Sequence, residues 1–107
     1  MPLRHFDPQV TIASPGHVTV SSALTFQTAR RVCEAGVECF VRDGSPTIEV
    51  DCSAVPYADS AGLAVLIEWR RWAHQQGRHL KFLNLPEQIS AIARLSEVSE
   101  VLAEAAA

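Results

Sequence analysis

The pattern of this chain predicts an α/β fold: one domain with a small mixed sheet of about four strands, backed by three to four helices in the order β-β-α-β-α-β-α(α). Three observations carry that prediction. Short alternating apolar runs recur at Val10 to Ala13, His17 to Val20, Thr47 to Cys52 and His79 to Leu83. Segments with helical spacing of apolar residues separate the later runs. The stretch from Ile48 to Trp72 passes without interruption from an apolar strand, through a turn, into a strongly apolar helix. Strands that alternate with helices imply parallel neighbours joined by right-handed crossovers.

The elements follow in order. Val10 to Ala13 is β-prone, and Ser14-Pro15-Gly16 is a turn signal before His17 to Val20, so the pair reads as a hairpin. Ser21 to Leu24 leads out of it. Thr25 is the expected cap of a first helix running to about Arg42, with its apolar stripe at Phe26, Ala29, Cys33, Val37, Phe40 and Val41. Gly36 is a weak point inside that helix, costing about 1 kcal/mol relative to alanine. Asp43-Gly44-Ser45-Pro46 stops it, with Gly44 suited to a left-handed position. Thr47 to Cys52 is the third strand. It places Asp51 at its carboxyl end, the end where α/β sheets hold their sites.

The second helix runs from about Ser60 to Gln76 and is closed by Gly77. At 100° per residue Leu63, Leu66, Ile67 and Ala73 share one arc, and Glu68, Arg71 and Gln75 lie opposite. Val65, Trp69 and Trp72 form a shoulder between them. Both tryptophans read either as core residues or as anchors for a partner protein, where tryptophan is over-represented. His79 to Leu83 is the fourth strand. Pro86 starts a third helix with a stripe of Ile89, Ile92, Ala93 and Leu95, and Ser96 to Leu102 adds a last short helix.

Composition bounds the function. The 107 residues suit one domain, with a core over about 10–102, and the 48% apolar content argues against disorder. A formal charge of −3 lacks the basic footprint of a nucleic-acid binder. No apolar run approaches the ~18 residues of a bilayer span, and M-P-L-R-H-F-D-P lacks the apolar core of a secretion signal, so a cytoplasmic location without direct membrane insertion is expected. Cys33, Cys39 and Cys52 lack paired metal spacing and read as small, reduced, buried hydrophobes. The four histidines, His5, His17, His74 and His79, form no metal motif, and no phosphate-binding glycine loop is present. Ser60 is outside any G-x-S-x-G elbow and has no assigned base. The expectation is a non-enzymatic domain without metal or cofactor.

What remains is the corner at Asp59-Ser60-Ala61-Gly62. Asp59 is suited to cap the second helix, and Ser60 falls in the first turn, near the positive end of the helix dipole. Ala61 and Gly62 leave the turn sterically open. Two readings compete for this hydroxyl: an ordinary solvated cap, or a recognition corner that can be phosphorylated at Ser60.

The run T-I-E-V-D-C-S-A-V-P-Y-A-D-S-A-G-L-A-V-L resembles the central motif of the STAS domains, the sulfate-transporter and anti-sigma-factor-antagonist family. The match is strand, Asp51, an apolar-rich bridge, then D-S-A-G-L at Asp59 to Leu63. Two branches of that family are relevant. In anti-sigma-factor antagonists the serine matching Ser60 is phosphorylated by a partner kinase, which breaks the complex. Those proteins often carry G-x-I-D or G-E-L-D after the second strand, where this chain has S-A-L-T-F. The A-L-T-F run, with D-S-A-G-L-A-V-L-I-E-W-R-R-W-A, looks more like the cytoplasmic STAS subunit of the Mla phospholipid-transport ABC complex of Gram-negative bacteria. That resemblance implies a subunit that binds the ABC ATPase, and through it the permease, at the inner membrane. The contact would lie at the corner of Tyr57, Asp59, Ser60, Ala61 and Gly62, with Trp69 as a further contact residue. A weak homodimer through Trp69 and Trp72 stays open.

Overall fold

A mixed four-stranded sheet, its strands lying side by side in chain order, carries the helices on one face. The computed structural model describes residues 9–95. Its elements are β1 (Val10–Ser14), β2 (His17–Val20), α1 (Ala29–Asp43), β3 (Thr47–Asp51), α2 (Ser60–Gln75), β4 (His79–Leu83) and α3 (Glu87–Leu95). The helix expected over 96–102 lies outside the described residues.

The hairpin forms as its turn residues require. Gly16 takes φ +79°, β1 and β2 pair antiparallel, and a bulge between Ile12 and Ser14 breaks the register at the edge. β2, β3 and β4 are mutually parallel, with Val18 opposite Val50 and Val50 opposite Phe82. The strict alternation of period two puts Val18, Val20, Ile48, Val50, Leu80 and Phe82 on the helix-covered face. The half-buried residues Thr19, Glu49, Asp51 and Lys81 occupy the alternate positions.

The first helix corrects the sequence-based expectation. It starts at Ala29 with Thr28, not Thr25, in the capping position. Thr28 turns its hydroxyl back into the loop: Oγ1 donates to the Ala23 carbonyl (2.7 Å) and accepts from the Thr25 N–H (3.0 Å). The buried stripe is Val32, Ala35, Gly36, Cys39 and Phe40. Phe26 and Val41, expected inside, are 80% and 63% exposed. Gly44 ends the helix at φ +76°, and its N–H bonds the Phe40 carbonyl.

Gly36 is a packing notch rather than a weak point. A Cβ there would run into the Trp69 ring and lie 2.7 Å from Nε1. The indole of Trp69 therefore sinks into α1, donates from Nε1 to the Cys33 carbonyl (3.0 Å) and meets Phe40 edge-on at 5.4 Å between centroids. Trp69 is fully buried, so it is a core residue and is withdrawn from any partner-binding surface. Trp72 is half-buried against Phe40 and lies under the Arg78 guanidinium at 5.4 Å. With Trp69 sealed in the core, Trp72 is the one of the pair that keeps some surface.

In α3, Ile89 and Ala93 are buried and Ile92 packs beside them, whereas Leu95 is exposed. Pro86 sits just ahead of the helix, its carbonyl accepting from the N–H groups of Ile89 and Ser90.

Candidate functional site

The corner is built by two chain segments that lean on each other. β3 ends at Asp51, and the connection through Tyr57 returns beside the segment leaving β2. Leu24 and Ala58 form a parallel bridge there. The Leu24 N–H donates to the Tyr57 carbonyl (3.0 Å), and the Asp59 N–H donates to the Leu24 carbonyl (3.0 Å). That bridge fixes where α2 begins.

Asp59 caps the helix as its residue type predicts. Its backbone is extended, and Oδ1 accepts from the Ala61 N–H (2.9 Å) and the Gly62 N–H (3.3 Å). Its second oxygen, Oδ2, accepts from the Phe26 N–H at 3.2 Å. The carboxylate is thus fully employed: one oxygen holds the helix, the other holds the loop ahead of α1. Ser60, the first residue of α2, is exposed. Tyr57 is 58% exposed, and Ala61 is half-buried.

Gly62 differs from the expectation that it contributes contact surface. It is buried, and a Cβ there would run into the Leu24 carbonyl and lie 2.7 Å from Leu24 Cβ. Its part is to let the Leu24 segment cross the first turn of α2. The corner therefore gathers Tyr57, Asp59, Ser60 and Ala61 at the surface, keeps Gly62 beneath them, and leaves Trp69 in the core.

Phe26 was missed as a surface residue. Counted in helical steps from Thr25 it falls on the buried stripe, and only a cap at Thr28 moves it outside. Beside this corner a shallow groove of about 320 Å³ runs between α1 and α2. Ala29, Cys33, Ala61, Ala64 and Val65 line it, with the exposed Arg30 and Glu68 alongside.

Asp51, at the carboxyl end of β3, ties strands together. Oδ1 accepts from the Ser53 N–H (2.9 Å) and from Asn84 Nδ2 (3.1 Å), and Asn84 itself takes φ +57°. The Ser53 backbone bond, then the Asn84 side chain, hold this carboxyl below its ordinary value. Cys52 beside it is buried, which pushes its thiol up to about 12, with Asp51 adding to the shift. Cys33 is also raised, by burial and then by Glu68 and Glu34. Neither thiol has the depressed pKa of a nucleophile. Among the described residues no group of three metal-ligating side chains comes together, and no helix is long and apolar enough to cross a membrane.

A family model described as "Mlab, STAS domain" matches residues 11–104. No curated protein matches this chain. The crystal structure of a candidate anti-sigma factor antagonist from Thermotoga maritima is similar in fold, with a TM-score of 0.69 at 17% identity, over 87% of this chain and 80% of that one. At that identity the likeness speaks for the fold, and the family match covers the sheet, the three helices and the Asp59 corner together. With its mixed sheet and its helix capped beside an exposed serine, the chain belongs to the STAS domain family described by that model.

Proposed function

We propose that this chain is a non-enzymatic adaptor that binds the ATPase subunit of an ABC-type phospholipid transporter, of the kind that maintains outer-membrane lipid asymmetry. It would be held at the cytoplasmic side of the inner membrane through that partner. The observation that carries the reading is the exposed Ser60 at the start of α2, between the exposed Tyr57 and the small Ala61. The family match over residues 11–104 supports it. The corner is preorganised, with Asp59 already holding the Ala61 and Gly62 N–H groups. A docking partner meets one hydroxyl beside the exposed Tyr57 and the small Ala61, with the charged Arg30 and Glu68 along the neighbouring groove. The chain contributes surface; nucleotide hydrolysis belongs to the ATPase.

The second reading is an anti-sigma factor antagonist, favoured by the fold shared with the Thermotoga maritima protein. A phosphate on Ser60 would add about −1.5 to −2 charges. It would arrive beside Asp59, whose Oδ1 already holds the Ala61 and Gly62 N–H groups. The added charge would meet any partner packed there.

Capture of the tagged full chain from a native lysate, with mass spectrometry of what is bound, separates the two. The adaptor reading predicts an ABC ATPase with its permease and an unmodified Ser60. A kinase-like anti-sigma factor that phosphorylates Ser60, with labelling abolished in Ser60→Ala, would overturn it.

A further inference from the structure

The ATPase-docking surface extends past the Ser60 corner to the loop ahead of α1, and we propose that Phe26 is its principal apolar anchor, with Asp59 as the positioning residue that holds Phe26 in place. This rests on the reading that the ATPase docks at the start of α2. Four observations carry it.

Phe26 is 80% exposed, so a large aromatic side chain is left out of the core. Yet its backbone is firmly held. The loop is tied by Thr25 N–H to Thr28 Oγ1, by Thr28 Oγ1 to the Ala23 carbonyl, and by the Thr28 N–H to the Thr25 carbonyl (3.0 Å). An aromatic presented by a fixed backbone has only its own rotamers left to lose on binding, which is the condition for an efficient anchor.

Phe26 is also tethered to the corner itself, through its N–H and Asp59 Oδ2. Tyr57 stands on the other side of the same bridge, its carbonyl accepting from Leu24. Phe26, Tyr57 and Ser60 are therefore all exposed on two hydrogen-bonded segments that meet at this corner.

The chemistry of the occupant follows from how Asp59 is spent. Both its oxygens already accept hydrogen bonds within the chain, so a partner does not have to supply donors for them. Around Asp59 stand two exposed aromatic side chains, the Ser60 hydroxyl and small residues, with the exposed Gln27 and Arg30 following Phe26 in the chain. The complement on the ATPase is an apolar socket with a hydrogen-bonding group opposite Ser60.

Asp59→Asn separates the two duties of the carboxylate. Asparagine is as good a cap, so its Oδ1 keeps the Ala61 and Gly62 N–H groups. Its amide nitrogen then faces the Phe26 N–H donor to donor, and the tether is lost while the helix remains.

The test titrates the purified ATPase subunit against the wild-type chain, Phe26→Ala, Asp59→Asn, the double variant and Ser60→Arg, with thermal melting of each. Phe26→Ala should weaken binding about tenfold or more with an unchanged melting temperature. Asp59→Asn should also weaken it, and should add less than about twofold in the Phe26→Ala background, because it acts through Phe26. If Ser60→Arg loses binding while Phe26→Ala keeps it, the anchor is overturned and the docking reading stands. If both bind as the wild type does, the docking reading itself fails. An equal loss from Asp59→Asn in both backgrounds would overturn the positioning role. A dimer of the chain alone that Phe26→Ala dissociates, with ATPase binding intact, would assign the surface to a second copy and overturn the proposal.

Discussion

Gly62→Ala tests how the corner is built. The added methyl meets backbone, not a flexible side-chain end: it runs into the Leu24 carbonyl and lies 2.7 Å from Leu24 Cβ and 3.0 Å from Leu24 C. Those atoms cannot slide away freely. Leu24 is held from its N–H to Tyr57 and from its carbonyl to the Asp59 N–H, each at 3.0 Å. Overpacking of this kind costs about 1–3 kcal/mol, and loss of the Asp59–Leu24 hydrogen bond adds about 1 kcal/mol. Replacing a helical glycine returns up to about 1 kcal/mol. The net expectation is a loss of about 1–3 kcal/mol, or roughly 5–12 °C in melting temperature for a domain of this size. Urea and thermal unfolding followed by circular dichroism measure it. Gly44→Ala is the control, since that glycine has φ +76° with nothing within 4 Å, and strain alone should cost about 1 kcal/mol. A Gly62→Ala protein as stable as the wild type would refute the crossing of Leu24 over α2.

Three other outcomes are expected. Gly36→Ala should destabilise by about 1–2 kcal/mol despite its better helix propensity, because the methyl collides with the buried Trp69 ring, and its tryptophan emission should shift; unchanged stability would contradict the notch. In acid, Asp51 sits below its ordinary value of 3.8, held there by Ser53 and Asn84. Asp43 does too, since bonds from Ser45 and Gly16 outweigh the upward push of burial. A depressed carboxyl stabilises the fold above its unfolded value and loses that contribution as pH falls through the folded one. Stability should therefore drop below about pH 4, and Asp51→Asn should flatten that limb in pH-dependent urea melts. Thiol labelling at neutral pH should reach the half-buried Cys33 first, and Cys39 and Cys52 only on unfolding; rapid labelling of Cys52 would contradict a thiol raised to about 12.

The strands and α2 were legible because their signals are local. Alternation of period two places Val18, Val50 and Phe82 without ambiguity, and an aspartate before Ser60 can cap a helix by its side chain alone. α1 was less legible for a physical reason. Thr25 and Thr28 are both hydroxyl residues three apart, so either can stand at a helix start, and each choice selects a different stripe. The stripe that wins contains Gly36 and Cys39, which look poor by helix propensity but make room for Trp69 and the sheet. That depends on a ring on α2, distant in sequence. The same long-range contact decides Trp69, which the helical wheel left on a shoulder between core and surface. In the candidate site, Ser60, Asp59 and Tyr57 could be read from the turn, whereas the burial of Gly62 and the exposure of Phe26 both depend on where the Leu24 segment runs. No local pattern encodes that path.

The most direct test of the docking surface uses two substitutions at Ser60 that move stability in opposite directions. Ser60 is exposed in the first turn of α2, where Glu favours the helix dipole by about 0.3–1 kcal/mol and Arg opposes it by a similar amount. Affinity for the ATPase subunit, measured by titration of wild type, Ser60→Glu and Ser60→Arg, should fall for both variants while their melting temperatures shift to either side of the wild type. Wild-type affinity in both would contradict a partner landing at the start of α2.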